Sequence, residues 1–177
     1  MAQKPARDWI YLMIIGFQLV GMTLLEFADF YPDFIYSAPS APLHFLVGVK
    51  ETYNYYSGDP FFAGKFHGAW FRSFVYVEIF VQFPLAIYLA RNLASKKPSS
   101  GPVELAGLVY GCLAATSSIP CVAELLEMGP ELVSADKKPN LIWGTYFPYA
   151  LIPGLMAVDM YIRLLRRLNT DTKPKTQ

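Results

Sequence analysis

The chain has 177 residues, a formal net charge of +1, a mean hydropathy of +0.29, and 54% apolar against 16% charged residues. That balance suits a small polytopic membrane protein better than a soluble domain, and with no basic stripe it excludes a nucleic-acid partner. Two histidines and two cysteines do not cluster, so no metal site is expected and no cofactor motif is present. Cys112 and Cys121 are nine residues apart in one apolar stretch. On a helix that is a separation of about 13 Å, too far for a disulfide.

The first residues are polar, with Lys4 and Arg7, and a first apolar stretch then runs from Trp9 to about Phe27. It is long for a cleavable signal and reads as a retained helix. Glu26 and Asp29 stand at its far end, three apart on one face, and Pro32 ends it. Residues 30–68 form a long connection. Within it, Leu43, Leu46, Val47 and Tyr53 predict a short interfacial helix. Gly58-Asp59-Pro60 is a turn signal.

A second helix is expected from about Trp70 to Leu89, carrying Glu78 and Gln82 on one face. An acid at membrane depth is costly and marks a functional site by default, with interhelical bonding as the bland alternative. After a polar loop around Lys96 and Lys97, a third helix runs from about Val103 to Leu126. Thr116, Ser117 and Ser118 precede Pro120 there, which predicts a kink with nearby hydroxyls satisfying freed carbonyls. A fourth helix runs from about Ile142 to Leu165, with Tyr146, Pro148, Tyr149 and Pro153 early and Asp159 later. Asp159 and Glu124 read as interhelical or snorkelling groups. Trp70 reads as a membrane-interface anchor.

The fold expected is therefore an all-α four-helix transmembrane bundle. The N-terminus, the loop after the second helix and the C-terminus hold ten of the fifteen basic residues, which puts both termini in the cytoplasm. The ending Lys173-Pro-Lys175-Thr-Gln resembles a retrieval signal of endoplasmic-reticulum membrane proteins. Counting from the opposite, lumenal face, Asp29, Glu26, Glu78, Thr116, Tyr146 and Tyr149 could converge on an intramembrane pocket. Two carboxyl groups in such a cavity cannot both ionise cheaply, so the pair would hold one proton. That suits a cationic amphiphile or a sterol hydroxyl, and equally proton delivery to an alkene.

Several runs resemble the sigma-2 receptor family, which belongs to the EXPERA group with emopamil-binding protein. They are Asp59-Pro60, Ala69-Trp-Phe-Arg-Ser-Phe74, Glu78, Gln82-Phe-Pro84 and Tyr146-Phe-Pro-Tyr149-Ala-Leu-Ile-Pro153, with Asp29 in the first helix. The resemblance covers roughly residues 9–166, between a cytoplasmic N-terminus at 1–8 and a basic tail at 167–177. It implies a sterol-binding endoplasmic-reticulum protein acting in sterol homeostasis or transport. Asp29 would face a ligand amine and Glu78 would share its proton. Gln82, Thr116, Tyr146 and Tyr149 would line or support the cavity, and Asp59 would be structural. The implied partners are a sterol or other lipophilic small molecule, a Niemann–Pick-type cholesterol transporter and a second copy, as related proteins are often dimers. Departures are Gly21 and Thr23, where the animal proteins carry a His and a Pro, and the extra acid Glu26. Relatives that isomerise sterols place a His four residues before the glutamate, where this chain has Phe74. The alternative reading is an acid-catalysed isomerase or terpenoid cyclase using Asp29 and Glu78.

Overall fold

The computed structural model describes residues 4–63 and 68–171. Lys65, His67 and the Lys173–Gln177 ending lie outside the described residues, and so does most of the basic tail. Among the described residues there are helices and turns and no strand. Four helices are long and apolar enough to cross a membrane: Arg7–Phe30, Ala69–Leu93, Gly101–Glu127 and Asn140–Thr170. We call these the first to fourth spans. The chain is an all-helical, multi-pass membrane protein. Phe17, Phe80, Ile119 and Leu155 are among many large apolar side chains left on the outside, as a lipid-facing surface requires.

Three of the spans contain a wide turn closed by a bond from residue i to i−5. Phe27 N–H bonds to the Met22 carbonyl, Phe83 N–H to that of Glu78, and Phe147 N–H to that of Ile142. Two of them sit immediately before a Phe-Pro pair, Phe83-Pro84 and Phe147-Pro148. A proline has no N–H to give, and its ring crowds the carbonyl four residues back. Widening the preceding turn relieves that clash without breaking the helix. The first span instead tightens after its wide turn into a short 3-10 stretch, Phe27–Phe30. Tyr31 is then extended (ψ 138°), as a residue before proline prefers.

A 13-residue helix, Phe45–Ser57, follows in the first connection. Gly58 ends it in the left-handed conformation, φ 64°, with its N–H on the Asn54 carbonyl at 2.9 Å. Two lysines of the last connection act as helix caps. Lys137 Nζ donates to the Tyr55 carbonyl at 2.6 Å, and Lys138 Nζ to those of Leu126 and Met128, both at 2.8 Å. Each places a cation at the negative end of a helix dipole.

The third and fourth spans approach most closely at Gly111. A Cβ there would sit 2.5 Å from the Pro153 carbonyl oxygen. Small residues let two backbones meet in this way inside a membrane. Pro120 lies within the continuous Gly101–Glu127 helix. The nearby hydroxyls of Ser117 and Ser118 both turn back to the Ala114 carbonyl, at 3.1 and 2.8 Å.

One end of the bundle is locked by charge. Arg163 on the fourth span bonds Asp8 at 2.7 Å and Asp159 at 2.6 Å, with Asp8 fully buried. Arg7 and the Tyr11 hydroxyl also reach Asp159, and Arg167 pairs with the buried Glu104 at 2.5 Å. Lys4 donates to the Leu93 and Ser95 carbonyls. Asp159 is thus an interhelical partner, far from the acids at the other end.

Candidate ligand-binding site

The cavity lies towards the end of the bundle opposite this ionic lock, and each wide turn delivers a residue to its wall. Glu26 is the last residue of the first wide turn, Glu78 the first of the second and Tyr146 the last of the third. The cavity volume is about 190 Å³. Its acids are Glu26 and Glu78, its aromatic walls include Tyr53, Phe62, Phe71, Tyr146 and Tyr149, and its polar floor includes Gln18, Ser117 and Ser118.

The carboxyl groups of Glu26 and Glu78 line the same cavity side by side, within reach of each other once one of them is protonated. A bond between two carboxyl groups needs a proton between them. Glu26 Oε2 is shielded from solvent, and no N–H or hydroxyl among the described residues donates to it, which leaves a proton shared with Glu78 or a ligand to do so. A buried acceptor in that condition is costly unless one of these supplies the donor. Gly21 leaves the room beside it: a Cβ there would lie 3.8 Å from Glu26 Oε1.

A second group braces the wall. Asp59 is completely buried and its Oδ2 accepts from the hydroxyls of Tyr53 and Tyr146, each at 2.9 Å. Its Oδ1 accepts the Phe61 N–H at 3.0 Å. Burial raises the Asp59 carboxyl above its ordinary range, against the opposing pull of these donors. Burial and the adjacent Asp59 also hold the Tyr53 hydroxyl firmly protonated. Asp59 thereby fixes two phenol rings from distant parts of the chain on one side of the cavity. The Gln18 side chain is held in turn by the Tyr110 hydroxyl at 2.5 Å.

The expected site residues are distributed differently from the sequence reading. Glu78, Tyr146 and Tyr149 line the cavity. Asp29 does not: its side chain is 65% exposed and it pairs with Lys50. The acid beside Glu78 is Glu26, on the wide turn, while Asp29 lies one turn further along in the 3-10 stretch, where Lys50 of the short helix takes its carboxylate. Thr116 is on the outside of the third span, and the neighbouring Ser117 and Ser118 face the cavity instead. Gln82 is fully buried, and neither atom of its amide has a protein partner among the described residues. It does not line the cavity, since the wide turn between it and Glu78 breaks their shared face. Trp70 packs on Phe61, Phe71 and Phe74. Gln18 and Tyr53 are cavity residues that the sequence reading passes over. The one signal for Gln18 is a lone amide inside an apolar stretch.

Residues 45–160 match the pattern of EXPERA, the expanded EBP superfamily. The chain belongs to the EXPERA family. A relative is Efficient mitochondria targeting-associated protein 19 of Schizosaccharomyces pombe (strain 972), 32% identical over 121 residues. That alignment covers 68% of this chain and 60% of the relative, so the chain spans less than two thirds of the relative's length. Within the EXPERA match lie Asp59, Glu78, Tyr146 and Tyr149, while Glu26 precedes it. In this EXPERA chain the first-span half of the acid pair therefore comes from outside the family's matched region.

Proposed function

We propose that this EXPERA protein binds an amphiphile of the sterol or cationic type in the Glu26–Glu78 cavity, as a sigma-2-like receptor acting in sterol homeostasis or transport. The observation that carries the reading is a pair of neighbouring carboxyl groups, Glu26 and Glu78, in an aromatic-walled cavity, with no N–H or hydroxyl of the described residues donating to the shielded Glu26 Oε2. A protonated amine would bond that oxygen with full charge assistance, and the phenol and phenyl faces around it favour a cation. A sterol hydroxyl would bond it more weakly. On this reading the bundle sits in the endoplasmic-reticulum membrane with the ionic lock on the cytoplasmic side. A Niemann–Pick-type transporter would be a fitting partner.

The test is titration of a cationic amphiphile and of a sterol against the protein in detergent. Glu78→Gln and Glu26→Gln should each weaken the amine by roughly tenfold or more. Binding that survives both changes would dismiss the reading.

The same pair supports a second reading, protonation of an alkene in a sterol or prenylated substrate, with the aromatic walls stabilising the cation formed. Phe74 stands where sterol-isomerising relatives carry a His, and none of the four described spans contains a histidine, so the acid pair would act alone. Lipid profiling of cells with and without the protein separates the two. An accumulating precursor isomeric with a missing product favours catalysis, and unchanged lipids redistributed among membranes favour binding. The name of the S. pombe relative ties that protein to mitochondrial targeting. Precursor import in the same cells would show whether such a role is shared.

A further inference from the structure

A second cavity of about 360 Å³ lies between the end of the first span and the start of the second. Its walls include Phe30, Val75 and Tyr76, its rim carries Asp29 and Arg72, and it shares Glu26, Phe62 and Phe71 with the acid cavity. Glu26 is therefore at the junction of two compartments.

The inner compartment, at about 190 Å³, falls short of the roughly 300–1,000 Å³ typical of sites that enclose a drug-sized ligand. A fused-ring amphiphile that puts its polar group on Glu26 and Glu78 has more body than this space holds. The outer compartment supplies the missing volume directly beyond the junction, with apolar walls. Phe30 and Tyr76 meet ring to ring at 5.6 Å on its wall, joining the first span to the second.

We propose that the outer compartment is a second subsite of one bipartite ligand site, taking the part of a sterol-sized amphiphile that lies beyond the polar group held at Glu26. This rests on the binding function proposed above. Phe62 and Phe71 form the neck against which the ligand's ring system packs. A small aromatic amine needs the inner compartment alone.

The experiment compares two probes, N,N-dimethylphenethylamine and an azasteroid, by titration calorimetry on the full chain in detergent. Val75 is buried on the wall of the outer compartment only. Val75→Trp should weaken the azasteroid by about tenfold or more and leave the small amine within about twofold. Equal losses for both probes, or an unchanged azasteroid, would overturn the proposal. Should Val75→Trp fail to fold, an azasteroid with a photoactivatable diazirine remote from its nitrogen is irradiated on the unmodified protein. Labelling of Phe30 or Tyr76 supports the second subsite, and labelling confined to the inner wall around Ser118 and Tyr149 overturns it. If neither amine depends on Glu78, the binding function itself falls and takes the subsite with it. If both depend on Glu78 but Val75→Trp does not separate them, only the subsite falls.

Discussion

Tyr146 on the fourth span places its hydroxyl 2.9 Å from Asp59 Oδ2, across 87 residues of sequence, and Tyr53 donates to the same oxygen from the short helix. One carboxyl oxygen thus ties the cavity wall to the connection beneath it. Tyr146→Phe and Tyr53→Phe each remove one buried hydrogen bond and should cost about 1–2 kcal/mol of stability. Asp59→Ala leaves both phenols without their acceptor and should cost more than either. Thermal unfolding of the three variants in detergent checks the order.

The same carboxyl gives a pH signature. Burial raises folded Asp59 above the ordinary carboxylate value, so folding takes up a proton in the acid range. The contribution of this group to stability is then greatest at low pH. It falls as pH rises from about 4 through the raised value, and is flat above it. The difference in unfolding midpoint between wild type and Asp59→Asn, followed from about pH 4 to pH 8, should show that slope. A midpoint difference independent of pH would refute the assignment.

Asp29 and Glu26 are interchangeable on sequence grounds and not in the structure. Asp29 is exposed, paired with Lys50 and absent from the inner cavity, so Asp29→Asn should leave binding of a small aromatic amine held there within about twofold, as expected of an exposed pair. Glu26→Gln should reduce it by roughly tenfold or more. The reverse ranking would restore Asp29 to the site.

Gln82 buries an amide without a protein partner among the described residues. Gln82→Met keeps the volume and removes the unsatisfied groups. It should raise stability by about 1–3 kcal/mol with ligand binding unchanged. A lower unfolding midpoint would mean that the amide is engaged in the folded protein.

Gly111→Ala sets a methyl group 2.5 Å from the Pro153 carbonyl oxygen, a backbone atom that cannot turn aside. The third and fourth spans must separate, at about 1–3 kcal/mol. Gly107→Ala meets only the flexible Met160 side chain, at 3.1 Å, and should cost about 0.5 kcal/mol or less. Equal effects at the two positions would show that the spans yield elsewhere.

The four spans were readable from hydropathy because a membrane imposes length and apolarity on every crossing segment, whatever its neighbours. Glu78 and Tyr146 stood out for the same reason, as polar groups where polarity is expensive. The facing of residues was less readable. Helical spacing assumes 3.6 residues per turn, and each of the three wide turns adds to that count beside a key residue. Hence Gln82 leaves the Glu78 face; Glu26 meets Glu78 because it is on the wide turn level with it, and Asp29 lies one turn further along, beside Lys50. Thr116 and Ser117 differ by one position, and no hydropathy pattern separates neighbours so alike in polarity. The prolines at 84 and 148 were the available signal for two of these turns, since each marks a carbonyl that regular helix cannot satisfy.

The wide turn at Glu78–Gln82 also bears on which genetic lesions the protein can absorb. It holds about one residue more than a regular helical turn. An in-frame loss of a single codon from that stretch would let the helix close into regular form, keeping its length, apolarity and membrane insertion. The segments on either side would keep their facing, since the wide turn absorbs its extra residue within itself. What would return is the crowding of the Pro84 ring against the carbonyl four residues back, so such an allele would insert normally with its second span bent beside the cavity. A codon lost from the polar stretch around Lys96 would pass unnoticed.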